Sequence, residues 1–155
     1  MIDILKKQYA LLQRPRAIML NFVETEVGND WNTPVTIYDN KTIHGLLEHT
    51  ASCYFCWLAY FCLGEPYGSI KDEGFLTFDD LRKLYKKVDE TVAAFFDHFE
   101  DKLEVPVTRM HWDEEVLTFT LLQLFTHVIT HEFHHKGQIV MMCRMLGYVP
   151  PETDI

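Results

Sequence analysis

The chain has 155 residues, 48% of them hydrophobic and 24% charged, which is ordinary for one globular domain (residues 1–155) with a single sizeable core. Its formal net charge of −9 comes with no cluster of Lys and Arg, so a nucleic-acid surface, which needs clustered cations against phosphates, is not expected. No apolar run is long enough for a membrane span, and the start MIDILKKQYA lacks the apolar core of a signal peptide, so a cytoplasmic protein with no membrane partner is expected.

Residues 2–27 carry apolar side chains at helical spacing: Ile4, Leu5, Tyr9, Leu12, Ile18, Met19, Phe22 and Val23. Arg14-Pro15-Arg16 interrupts them, and a proline either kinks a helix or opens a new one. One bent first helix or two pieces are expected there. Gly28-Asn29-Asp30 ends it, and the stretch to Asn40 is turn-rich, with Trp31 expected to pack over the edge of the core.

A second helix is expected over residues 42–63, with Gly64 as its stop. Leu46, His49, Cys53, Cys56 and Tyr60 advance along it in steps of three or four, which puts His49 at the margin of the buried face. His44, near the helix start, is expected in solvent. Residues 64–75, GEPYGSIKDEGF, read as a loop. Thr77-x-x-Asp80 then resembles a capping box and opens a third helix to about Leu103. That helix has a stripe of Leu81, Leu84, Tyr85, Val88, Val92, Phe95, Phe96 and Phe99. His98 falls among its charged residues and is expected to be solvated.

Residues 105–110 read as an extended connector, a short edge strand at most. Asp113-Glu114-Glu115 looks like a helix start, since negative charge favours that end. The last helix is thus expected over residues 113–146, with Gly147 and Pro150-Pro151 forbidding its continuation. Four long helices joined by loops predict an all-α four-helix bundle, an architecture that commonly builds metal sites from facing helices. The four cysteines, Cys53, Cys56, Cys62 and Cys143, are expected reduced and mostly buried. Cys53-x-x-Cys56 has redox spacing, but no strand precedes it, which argues against a thioredoxin-like role.

The chemistry concentrates in residues 125–147, FTHVITHEFHHKGQIVMMCRMLG. His127, His131 and His135 recur at every fourth residue, about 40° apart around a helix turning about 100° per residue. His131 and His135 therefore stand one above the other, close enough to reach a single ion. Three histidines in register, flanked by Glu132 and Lys136-Gly137-Gln138, predict a metal site rather than three satisfied core residues. His131-Glu132-Phe133-His134-His135 also satisfies the zinc-protease pattern H-E-x-x-H, in which Glu132 is the general base. The twenty residues after His135 contain no further His, and no strand-rich stretch precedes the motif, so that reading is set aside.

Leu46-Leu47-Glu48-His49, His131-x-x-x-His135-Lys136-Gly137-Gln138, Leu146-Gly147 and Pro150-Pro151 occur in an order and spacing that resemble the DinB/YfiT-like family of metal-binding four-helix bundles. The resemblance implies a triad of one His from the second helix and two from the last, here His49, His131 and His135, on a divalent ion. Lys136 stands where the family often has Arg. A three-His site keeps open positions, as catalytic rather than structural sites do. Imidazole does not separate zinc, nickel and iron. Glu48, Glu132 or a backbone carbonyl would hold the outer ring nitrogens. His127 and Glu132 are the candidate acid–base groups; His134 is given no role, and Cys53 is expected to be a buried apolar side chain.

The wider superfamily includes thiol-dependent transferases and isomerases using mycothiol or bacillithiol, and metal-dependent hydrolases. The resemblance therefore implies a small-molecule substrate and a metalloenzyme that activates a low-molecular-weight thiol as an S-transferase. A metal-dependent hydrolase and a non-enzymatic, stress-induced metal-binding module are the alternatives. Apolar helix faces and the resemblance together imply a homodimer.

Overall fold

The computed structural model describes residues 2–66, 77–100, 102–111 and 113–153. They form four α-helices and one two-stranded antiparallel hairpin: α1 Ile2–Phe22, α2 Ile43–Tyr54, α3 Phe78–His98, β1 Pro106–Met110, β2 Val116–Thr120 and α4 Leu121–Met145. The loop expected after Gly64 lies largely outside the described residues.

α1 runs unbroken through Pro15, which is buried, and a π-helical turn carries it on through Val23–Val27. Of the two expected arrangements, one helix or two pieces, the single helix is found. α2 opens on Thr42, whose hydroxyl accepts the Gly45 N–H at 3.0 Å, and passes into a nine-residue π-helical segment, Phe55–Leu63. Gly64, at φ 78°, ends it in the left-handed conformation that spares a glycine the clash of a Cβ. α3 opens on the expected capping box of Thr77 and Asp80, and it closes at His98, five residues before the expected end at Leu103. His98 is exposed. Trp31 is buried and stacks on Phe78, ring centroids 3.8 Å apart.

Two further expectations fail. The last helix does not begin at Asp113, because residues 113–115 lie in the hairpin turn and Glu114 takes φ 71°. Residues 116–120, VLTFT, pair with residues 106–110 in the register Val107↔Phe119 and Arg109↔Leu117. That alternation of apolar and β-branched residues suits a strand. The true helix signal was Thr120-x-x-Gln123, a complete capping box in the structure. The expected edge strand in residues 105–110 is present as β1. His44, expected in solvent, is 4% exposed: Trp31 folds over it at 4.5 Å between ring centroids, and Glu48 lies one turn on, 3.7 Å from its Nε2.

Tyr54, Leu58, Phe61, Val88, Phe95 and Phe125 are the centre of the core, with the Phe95 and Phe125 rings stacked 6.0 Å apart. Among helix pairs, α4 packs most extensively on α2. Their contacts run antiparallel, since His49 meets His131 and His135 while Trp57, further along, meets His127. That juxtaposition is what builds the site. No helix among the described residues is long and apolar enough to cross a membrane.

Candidate metal centre

His49 comes from the margin of α2, and His131 and His135 from adjacent turns of α4. The three offer ligand atoms that all lie within 4.8 Å of one another, and they are the group among the described residues that could hold a metal ion. The His131 and His135 rings lie 4.4 Å apart, and the His49 ring is 4.9 Å from each. The two Nε2 atoms of α4 face each other at 3.2 Å. Ligand nitrogens at about 2.0–2.1 Å from a zinc-sized ion are separated by roughly 2.8–3.4 Å at octahedral to tetrahedral angles. The spacing of the α4 pair fits.

The His135 tautomer fits as well. His135 Nδ1 pairs with Gln138 Oε1 at 2.7 Å. An amide oxygen only accepts, so the imidazole proton sits on Nδ1 and the Nε2 lone pair points at His131. Gln138 was the outer partner that the sequence reading missed; its i, i+3 spacing from His135 is the signal that would have found it. His131 Nδ1 is buried without a hydrogen-bond partner among the described residues. The Gln138 amide nitrogen in turn lies 3.1 Å from Nε2 of the exposed His134.

Burial holds His131 well below the ordinary imidazole range, to about 4, helped by His135, His49, His127 and His134. His135 is lowered by burial, against the raising effect of Gln138, and His127 by burial alone. His131 and His135 are therefore neutral at pH 7, the state in which imidazole ligates. A folded-state value below the unfolded one near 6.5 means that the unfolded chain takes up the proton first as pH falls. The metal-free protein is expected to lose stability between about pH 6.5 and 4. Urea denaturation at several pH values should show a smaller loss over this window for His131→Asn than for the wild type. Equal slopes would place the proton elsewhere.

Exposure is graded across the group: His49 is exposed, His131 half-buried and His135 buried. A ligand held there would be reached from the His49 side. His127 adds a ring 5.5 Å from His131, and Trp57 stands 5.5 Å from His127. Trp57 also meets Phe61, Phe119 and His111, so the π-helical segment, the hairpin and α4 share one aromatic cluster. Tyr60 donates its hydroxyl to the Met110 carbonyl at 3.0 Å.

Glu132 is elsewhere engaged. Its carboxylate accepts from Arg16 Nε at 2.7 Å and Arg16 Nη2 at 2.8 Å, and from the Tyr54 hydroxyl at 2.5 Å. Arg16 Nη1 donates to Asp89 at 2.7 Å, and Tyr9 donates to the same Asp89 oxygen at 2.6 Å. The guanidinium lies 5.0–5.8 Å from the ring centroids of Tyr85, Tyr9 and Tyr54. Burial works against the Arg16 charge, but Glu132 together with Tyr9 and Tyr54 outweighs it and the guanidinium stays protonated; burial and then the Glu132 charge raise the Tyr54 hydroxyl. With both carboxylate oxygens held, Glu132 is a network residue in this geometry rather than a free base.

None of the four cysteines forms a disulfide; Cys53, Cys62 and Cys143 are buried and Cys56 partly so. Burial pushes the Cys53 thiol up to about 12, aided by Cys56, which suits an inert apolar side chain and not a nucleophile.

Two comparisons with known proteins agree with this arrangement. A stretch of 76 residues is 25% identical to "Protein DinB" of Bacillus subtilis (strain 168), covering 49% of this chain and 44% of that protein. The chain thus spans under half the length of the curated relative that it matches. The family model described as "DinB family" matches residues 1–155. On that whole-chain match, with two helices bringing three histidines together, this chain belongs to the DinB family.

Proposed function

We propose that the protein is a metalloenzyme in which His49, His131 and His135 hold one divalent ion, zinc, nickel or iron, and that its substrate is a low-molecular-weight thiol passed to an electrophile by S-transfer. The observation that carries the reading is the convergence of three imidazoles with one side, at His49, open to solvent. A structural site is closed by four protein ligands; three leave room for an exchangeable small molecule. When bound, a divalent ion deprotonates a coordinating thiol at neutral pH. The chain's own part is to hold His135 as the Nδ1–H tautomer through Gln138 and to keep His131 and His135 unprotonated by burial. Trp57 and His127 line the approach to His131.

Metal-dependent hydrolysis is the second reading, and the geometry favours it less. Hydrolysis needs a base beside the ion, Glu132 is tied to Arg16 and Tyr54, and His127 is the remaining candidate. Thiol activation needs only the ion. The four α-helices are read as a four-helix bundle in one domain over residues 1–155, and four cysteines without a disulfide suit a reducing, cytoplasmic setting. Phe133, Met141 and Met145 are exposed along α4 and support a homodimer.

The test is titration of the cobalt-loaded protein with cysteine and glutathione, followed by turnover of 1-chloro-2,4-dinitrobenzene. A sulfur-to-cobalt charge-transfer band and thiol-dependent turnover, both lost in His49→Ala, are expected. Turnover of p-nitrophenyl acetate without any thiol would replace the reading with the hydrolase. Loss of thermal stability on chelation, with no thiol band and no turnover, would leave a stress-induced metal-binding module.

A further inference from the structure

α2 and α4 meet at two polar points. One is the histidine group, where His49 faces His131 and His135. The other lies five residues on in α2, where Tyr54 donates to Glu132, the residue that follows His131. Glu132 sits about 100° around α4 from His131 and about 60° from His135, so the rotation that aims its carboxylate also aims both imidazoles. Apolar packing alone is non-directional and tolerates rearrangement. A planar pair of N–H donors does not, because it recognises a carboxylate in one plane and at one position.

Arg16 supplies that pair from α1. Its Nε and Nη2 take the two oxygens of Glu132, its Nη1 takes Asp89 on α3, and Tyr9, Tyr54 and Tyr85 enclose it. Both charged side chains are almost wholly buried, 7% exposed for Arg16 and 8% for Glu132. A rotation of α4 that carried Glu132 away would leave a guanidinium and a carboxylate buried apart, which the interior penalises heavily.

We propose that Arg16 and Glu132 are positioning residues for the histidine group, clamping the rotation of α4 on α2 so that His131 and His135 meet His49 before an ion arrives. The inference rests on the metal-centre reading above. Neither residue touches the ion; both act through the helix. Partners of this indirect kind typically change metal affinity about ten- to a hundredfold.

The experiment measures cobalt affinity by chelator competition at pH 7, together with the visible ligand-field spectrum, for the full-length wild type, Glu132→Gln and Arg16→Lys. Each is held well below its own melting temperature, with helicity checked by circular dichroism. Leu81→Ala, a core truncation on α3 that removes none of the network's hydrogen-bonding groups, is the control for general destabilisation. The expected result is a loss of about ten- to a hundredfold in affinity, with an altered spectrum, in Glu132→Gln and Arg16→Lys, and neither change in Leu81→Ala. If Arg16→Lys does not fold, Tyr54→Phe, which removes one hydroxyl from Glu132, should show a smaller loss in the same direction. Affinity and spectrum unchanged in the network variants, or affinity that falls equally in Leu81→Ala, would overturn the positioning role while the metal centre stands. A wild type that binds no cobalt would overturn both.

Discussion

Alanine at His49, His131 or His135 is each expected to reduce divalent-ion affinity by about a hundred- to a thousandfold. Zinc binding to four-ligand peptides is worth about 10–16 kcal/mol, so one ligand accounts for roughly 2.5–4 kcal/mol. The check is elemental analysis of protein purified without a nickel column, followed by chelator competition. About one ion per chain in the wild type, absent from all three variants, is the expected pattern. His127→Ala should keep its ion, since the ring stands 5.5 Å from His131 outside the group of three. Full retention in His49→Ala would break the cross-helix triad and move the third ligand to His127. No ion in the wild type would reduce the histidines to packing and surface residues.

The second large effect is on stability. Arg16→Met is expected to cost about 3–5 kcal/mol, because it leaves the buried Glu132 carboxylate without its two-pronged partner. For a domain of this size that corresponds to a fall in melting temperature on the order of 10 °C. Urea denaturation gives the free energy directly. The double variant Arg16→Met with Glu132→Gln should recover part of the loss, since a neutral amide is cheaper to bury than an unpaired charge. A single variant within about 1 kcal/mol of wild type would mean that water reaches the carboxylate and the network is not a closed one.

Much of the fold was legible along the chain where the signal is local. The Thr77 capping box, the Gly64 stop and the stripe of α3 depend on residues within a few positions of one another, and short-range geometry decides them. The hairpin was misjudged for a related reason. Asp113-Glu114-Glu115 is a reasonable helix start in isolation, but the strand pairing of residues 116–120 with residues 106–110 prevails, and Thr120 restarts the helix with a better cap. His44 was placed in solvent because nothing near it in sequence covers it. Trp31, thirteen residues earlier, does.

The site divides the same way. The i, i+4 spacing of His131 and His135 determines by itself that both imidazoles share a face of α4, because the helical period leaves them no other arrangement. His49 joined them on paper through the family resemblance, and only the antiparallel packing of α2 on α4 brings its ring to 4.9 Å from both. Glu132 shows the opposite case. Next to His131 in sequence it reads as a base for the ion, yet the chain folds so that Arg16, from 116 positions away, takes both its oxygens. Spacing along one helix decides which side chains share a face; which partner each face meets depends on long-range packing, and that information no local pattern carries.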